Sequence, residues 1–211
     1  MLLMSKKKLI ALLVLIILAA GSVAFIKFYF NVKPEEIRVG PLARVRGNDI
    51  APIKIVEFMD FSCPPCAMGS KYLKAQIQEN PGLIRLEMKY FPLRMNENFA
   101  ISARYAECAA RQGKFWQYHD ILVEEQAKWK KYMDPQTVFE SYAKRSKLNI
   151  KQLDACLQDK TVFQNIVELK EEGEMLGVSS TPTYFINGKK IVGLKSLDEE
   201  ISSLLKVHSG K

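Results

Sequence analysis

The spacing of apolar residues changes character several times along the chain, and each change marks an element. Leu9 to Ile26 is an uncharged apolar run, and as a helix its 18 residues would extend about 27 Å, close to the hydrocarbon thickness of a bilayer. Residues 31–50 lose that pattern, and Pro34, Gly40, Pro41 and Gly47 punctuate a tether and an irregular lead-in. Ile53 to Phe61 is apolar, β-branched and aromatic, which predicts a buried strand. Pro64 and Pro65 then fit the first turn of a helix, where the missing N–H groups would have had no partner. Met68, Tyr72, Leu73, Ala75 and Ile77 carry the helix to a stop at Asn80-Pro81-Gly82. Leu83 to Phe91 alternates over part of its length and predicts a second strand, completing a βαβ unit.

Residues 97–176 read as consecutive helices, broken at Gln112–Gly113, Asp134–Pro135 and Asn149, with no strand among them. The β pattern returns after Gly177. Thr183 to Ile186, the turn dipeptide Asn187–Gly188 and Lys189 to Gly193 predict a hairpin. Ser196-x-x-Glu199 has the form of a capping box and predicts the start of a last helix running through Leu205. No internal repeat or low-complexity segment interrupts this order. The expected class is α/β, with residues 51–207 as one domain and an all-helical insertion at about 95–176.

Charge changes the picture at the N-terminus. Lys6, Lys7 and Lys8 precede the apolar run and Lys27 follows it, so the positive-inside rule puts the N-terminus in the cytoplasm and Asn31 onward outside. Phe25, Phe28, Tyr29 and Phe30 suit an interfacial belt, and residues 1–30 are expected to be a retained anchor. The competing reading is a cleaved signal peptide ending among Ala19, Ala20, Gly21, Ser22 and Ala24. Both place the domain outside the cytoplasm, tethered at the periplasm or cell surface in the first case, and periplasmic or secreted in the second. The formal net charge of +8 invites a nucleic-acid partner. Five of the 31 basic residues and none of the 23 acidic ones lie in residues 1–33, which leaves only +3 for the remainder. No basic stripe with interleaved aromatics is present, and nucleic acid is discarded.

The four cysteines carry the candidate chemistry. Cys63 and Cys66 flank two prolines at a strand-to-helix junction. A structural zinc site needs four ligands, and Cys108, Cys156, His119 and His208 are too scattered to complete one, so no metal is expected. A purely structural bridge from Cys63 to Cys66 would close a tiny loop and gain little. A redox pair fits better, because a thiol at a helix N-terminus faces unpaired N–H groups that stabilise thiolate. Cys63 is then the exposed nucleophile and Cys66, one turn in, the resolving thiol. The two prolines withhold two of those N–H groups, so the thiolate is less stabilised; if the pair takes up electrons this predicts an oxidant of moderate strength, with the direction of electron flow left open.

Taken together, Ile55 to Cys66, the helical block and Ser179 to Gly193 resemble the thioredoxin-fold disulfide oxidoreductases of the DsbA type, over roughly residues 45–207. The resemblance is strongest to single-chain, membrane-tethered or secreted members with a helical insertion. It implies a central mixed sheet flanked by helices. It also implies a cis-proline at Pro182, with the Thr181 backbone beside Cys63 where a substrate peptide could pair as an extra strand. Glu57 matches a buried acid beneath the site, able to shuttle a proton to Cys66, while its bland alternative is a solvent-facing strand residue. Asp60 reads as a polar strand-end residue. The implied activity is introduction of disulfides into exported proteins, by a monomer reoxidised by a membrane partner of the DsbB or VKOR type. A reductase or isomerase of the same fold and a peptide-binding chaperone are the alternatives.

If Cys63 joins Cys66, Cys108 and Cys156 remain. They are either two small buried thiols or, as the compartment favours and some relatives show, a structural bridge across the helical block. His119 shares a helix face with Phe115 and Leu122 and is expected to be packed rather than catalytic. Trp116, Tyr118 and Trp129 read as core or groove wall, and Lys128 to Lys131 as a solvated face. No phosphate loop or dinucleotide motif appears, and no cofactor is expected.

Overall fold

The computed structural model describes residues 44–94, 100–132 and 134–208. The expected anchor at Leu9–Ile26 and most of the tether lie outside these residues. Among the described residues no helix is long and apolar enough to cross a membrane.

Five strands form one sheet in the order β1-β3-β2-β4-β5. β2 (Ile53–Met59) and β3 (Ile84–Tyr90) are parallel, joined by α1 (Pro64–Glu79), which is the predicted βαβ unit. β4 (Thr183–Ile186) pairs antiparallel with β2 and with β5 (Lys189–Val192). The hairpin turn sits where the sequence puts it, with Asn187 and Gly188 both at positive φ. β1 (Val45–Gly47) pairs antiparallel with the outer edge of β3. That strand falls inside the segment read as an irregular lead-in. Three residues are too short to show a period, and only the open edge of β3 makes them a strand.

Between β3 and β4 the predicted helical block resolves, among the described residues, into six helices. They are α2 (Ile101–Arg111), α3 (Phe115–Glu124), the single-turn α4 (Gln126–Trp129), α5 (Gln136–Arg145), α6 (Ile150–Gln158) and α7 (Lys160–Met175). The boundary between α6 and α7 was not legible. It is made by Asp159, whose side chain caps α7 by accepting from Thr161 N–H at 2.9 Å. The last helix, α8 (Leu194–His208), begins before the expected capping box, so Ser196 and Glu199 lie within it and cap nothing. The cap is instead Gly193, at φ 79°, whose N–H donates to Pro182 O and whose carbonyl accepts from Leu197 N–H. A glycine there lets the hairpin turn straight into helix.

The two faces of the sheet are covered differently. Ile53, Ile55, Ile84, Leu86, Tyr184 and Ile186 pack with Leu73 of α1 and with Leu197 and Ile201 of α8. On the other face α7 comes so close that a Cβ on Gly173 would lie 2.8 Å from Phe91 and 2.9 Å from Phe58. The alternation in β3 now has a cause, since its second set of residues faces α7 with buried charge. Lys89 pairs with Glu172 at 2.7 Å. Arg44 is likewise fully buried and pairs at 2.6 Å with Glu107 of α2, which also accepts from Asn165 of α7. Cys108 and Cys156 are bonded, tying α2 to α6 with Cα atoms 5.8 Å apart.

Candidate active site

The site lies where β2 runs into α1. Asp60 holds the turn between them. Its Oδ1 accepts from Ser62 N–H at 2.7 Å and from Ser62 Oγ at 2.6 Å, and its Oδ2 accepts from Leu93 N–H at 2.9 Å. Cys63 is the N-cap of α1 in extended conformation, and its side chain caps nothing, so the sulfur is left free for chemistry. Pro64 and Pro65 occupy the first two helical positions. The first amide in the helix is therefore that of Cys66, which donates to Cys63 O at 3.1 Å.

Both thiols are unbonded, so this is the reduced dithiol. Contrary to the exposure expected of it, Cys63 is buried, 9% exposed under the turn and Thr181, while Cys66 is 0% exposed, which still leaves Cys63 as the sulfur a second molecule could meet. Beside it opens a pocket of about 240 Å³ lined by Asp60, Ser62, Cys63, Pro64, Leu93 and Arg94. The Thr181–Pro182 peptide bond is cis, and the Cys63 thiol donates to Thr181 O at 3.4 Å. The structure thus brings Cys63, Cys66, Thr181 and Pro182 together, although 118 positions separate Cys63 from Thr181.

The two thiols are pushed in opposite directions. Cys63 is lowered to about 6, chiefly because the Cys66 thiol donates to its sulfur, against an opposing push from burial and with smaller help from the Thr181 side chain, not its carbonyl, and from the Cys66 backbone N–H. Cys66 is driven far above the usual thiol range, first by burial and then by its bond to Cys63. Such a split marks the group that attacks or leaves as thiolate and the group that needs a proton.

Glu57 can hold that proton. It is fully buried, on the face of β2 that lies under α1, and burial raises its carboxyl to about 8. Ser70, one helical turn beyond Cys66, donates to Glu57 Oε1 at 3.5 Å. Across the sheet Glu57 is in register with Tyr184. The Tyr184 hydroxyl lies near enough to draw the carboxyl pKa down slightly, yet neither it nor Oε2 completes a hydrogen bond. Gly69 makes room for it, since a Cβ there would sit 2.1 Å from the hydroxyl. The solvent-facing alternative for Glu57 is excluded by its burial.

The family model for thioredoxin matches residues 41–206. The chain belongs to the thioredoxin family. Within the thioredoxin fold it is similar to α-DsbA1 of Wolbachia pipientis, at TM-score 0.70 and 21% identity over 85% of this chain and 97% of that one. BdbD of Bacillus subtilis in its oxidised form is similar at TM-score 0.63 and 22% identity, covering 77% of this chain and 92% of that one. In sequence the chain is 26% identical over 149 residues to a probable disulfide bond formation protein D of Bacillus cereus, covering 67% of this chain and 68% of that protein. It is also 31% identical over 147 residues to the Na(+)/H(+) antiporter NhaA 3 of Salinispora tropica, a match spanning 69% of this chain and 22% of the antiporter. The chain thus spans about a quarter of the length of the antiporters it matches.

Other expected residues of this thioredoxin-family site fall as follows. His119 is packed, 2% exposed, against Phe61, Phe115 and Trp116. Its Nδ1 meets Asp120 at 3.0 Å, and burial lowers its pKa. Trp116 donates to Val45 O, Trp129 to Leu122 O and Tyr118 to Phe139 O, all as wall and core. Lys128, Lys130 and Lys131 are exposed around a buried Trp129. Three residues escaped the sequence reading. Ser70 and Tyr184 become neighbours of Glu57 only once helix phase and hairpin register are fixed. Gln126 of α4 is buried and donates from Nε2 to Phe61 O at 2.7 Å and to Cys63 O at 2.9 Å. Nothing in the sequence around it signals that role.

Proposed function

We propose that the chain is an extracytoplasmic thiol–disulfide oxidoreductase that introduces disulfide bonds into exported proteins through Cys63 and Cys66. The observation that carries this reading is the unequal pair of sulfurs, with Cys63 the less buried of the two, next to Thr181 and acidified by Cys66, and Cys66 wholly buried over Glu57. In the oxidised protein a substrate thiolate attacks Cys63 Sγ and the Cys63–Cys66 bond breaks. Cys66 leaves with the electron pair and takes a proton from Glu57, which is mostly protonated at neutral pH when raised to about 8. A second substrate thiolate then attacks the substrate sulfur of the mixed disulfide. Cys63 leaves as a thiolate that is stable near pH 7. The substrate loses two electrons and the protein gains them. The backbone of Thr181 offers a substrate peptide a strand-like partner next to the sulfur.

In this proposal residues 1–30 anchor the domain to the membrane from outside, close to a DsbB- or VKOR-type partner that removes the electrons. The test uses the oxidised protein and a reduced, unfolded protein with several cysteines. Free thiols on the client should disappear two by two as Cys63 and Cys66 become alkylatable, and Cys63→Ser should stop it. Net reduction of a disulfide-bonded client instead would assign the opposite direction. Protection of the client from aggregation, undiminished by Cys63→Ser, would assign a chaperone.

A further inference from the structure

The mechanism above leaves Gln126 unused, although it is a buried polar side chain that reaches the redox loop from outside the β2–α1 junction. Its two contacts go to carbonyls on either side of Ser62, and both come from one amide nitrogen, so both of its hydrogens are committed. The residue starts a single-turn helix that is itself well fixed. Trp129, three residues on, donates to Leu122 O at 2.8 Å and packs edge-on against Phe139 with ring centroids 5.3 Å apart. Glu125, just before it, pairs with Lys128 at 2.6 Å. Gln126 is therefore a strut with one end in the helical insertion and the other on the loop that presents the nucleophile.

We propose that Gln126 is a positioning residue through which the helical insertion holds the Cys63 loop and sets the reactivity of its sulfur. The inference rests on the thiol–disulfide reading of Cys63 and Cys66. Its physical basis is the pair of prolines. A helix beginning on Pro64 and Pro65 lacks two N–H groups that would otherwise surround the N-cap residue. The carbonyls of Phe61 and Cys63 belong to the loop that carries the sulfur, and left without donors their negative dipole ends would oppose a thiolate on that loop. Gln126 covers both oxygens with donors. Cys63 O also accepts from the Cys66 and Ala67 N–H groups at 3.1 and 3.3 Å, so removing Gln126 uncovers Phe61 O and leaves Cys63 O one donor short, which disfavours the thiolate and destabilises the reduced pair relative to the disulfide.

Two variants separate donation from packing. Gln126→Met keeps the length and loses the donors, and Gln126→Glu replaces donors with acceptors. Each is read by the ultraviolet absorbance of the Cys63 thiolate against pH and by the redox equilibrium with glutathione. Gln126→Met should move the thiolate midpoint upward and shift the glutathione equilibrium toward the disulfide by about threefold to tenfold, with Gln126→Glu larger in the same direction. A purely architectural role would lower thermal stability equally in both redox forms and leave midpoint and equilibrium where they are, and that result overturns the inference. The wild-type protein supplies a reading that needs no variant. The Gln126 side-chain amide protons should exchange slowly and shift as Cys63 titrates, whereas fast exchange with no shift overturns the proposal. A wild-type pair that does not exchange with glutathione overturns the oxidoreductase reading and this inference with it. Exchange in the wild type with unaltered variants overturns the inference alone.

Discussion

Replacing Cys66 by alanine should make Cys63 a weaker acid, and the size of the effect follows from the site. The Cys63 pKa is lowered from 9.0 to about 6, and the bond from the Cys66 thiol is the largest cause. A hydrogen bond to a charged group is worth about 1.5–3 kcal/mol, so losing it should raise the Cys63 pKa by roughly one to two units. Iodoacetamide alkylation of Cys63 in the reduced protein, followed by mass across a pH series, reads that midpoint directly. Cys108 and Cys156 are bonded and do not interfere. The choice of pH matters. At pH 7 a thiol of pKa about 6 has about ninetyfold more thiolate than one of 9.0, but its lower basicity costs roughly 15- to 30-fold in nucleophilicity. The net gain is only a few fold. At pH 5 the thiolate ratio is about 900-fold and the net gain roughly 30- to 60-fold. Wild-type Cys63 should therefore outrun a free thiol clearly at pH 5, and Cys66→Ala should be roughly three- to tenfold slower than wild type there. An alkylation midpoint that is the same in both proteins would refute the assigned cause.

The same shift fixes the pH dependence of the redox pair. Because the folded pKa is depressed, the stabilisation of the reduced form is complete above about 9, shrinks as pH falls, and is gone below about 6. At pH 7 it is at most about 1.4 kcal/mol, since the sulfur borders solvent, so the glutathione equilibrium should move toward the disulfide by up to about tenfold between pH 7 and pH 5. Glu57 works in the opposite sense. Its raised pKa leaves full stability below 4.5 and erodes it as pH rises toward 8. Glu57→Gln should therefore gain on wild type by on the order of 3 kcal/mol at pH 7 in urea unfolding, while resolving mixed disulfides more slowly; equal pH profiles would contradict the buried-acid role. Replacing Cys108 and Cys156 together by serine opens a loop with a sequence separation of 48 and should cost about 4 kcal/mol, seen as a lower melting temperature with the Cys63 pKa unmoved. Glu107→Ala strands the buried Arg44 and should cost about 3–5 kcal/mol; a loss below about 1 kcal/mol would mean that water reaches the guanidinium.

The parts of the fold that were legible in the sequence share a local signal. β2, α1 and β3 announce themselves by period and by the proline pair, and Asn187–Gly188 fixes the hairpin because its turn demands positive φ. β1 and the Asp159 boundary were not legible, because the first exists only by pairing with β3 and the second depends on one side-chain cap. Ser196 and Glu199 show the reverse failure, a real local motif overridden by Gly193, which is tied to Pro182 and starts the helix sooner. The site divides in the same way. Cys63 and Cys66 stand three apart in sequence, and their likeness to a known family brought Pro182 and Thr181 with them. Tyr184, Ser70 and Gln126 carry no such mark. Their roles come from register, helix phase and docking of the insertion, which only the folded chain brings together.

The central claim is that this structure stabilises the Cys63 thiolate enough to pull electrons from client thiols. Equilibrating the Cys63–Cys66 pair with glutathione at pH 7 and alkylating what is reduced gives its reduction potential. The account predicts a value less negative than the roughly −270 mV of thioredoxin, short of the strongest oxidants because Pro64 and Pro65 withhold donors. A value at about −270 mV or more negative would contradict it.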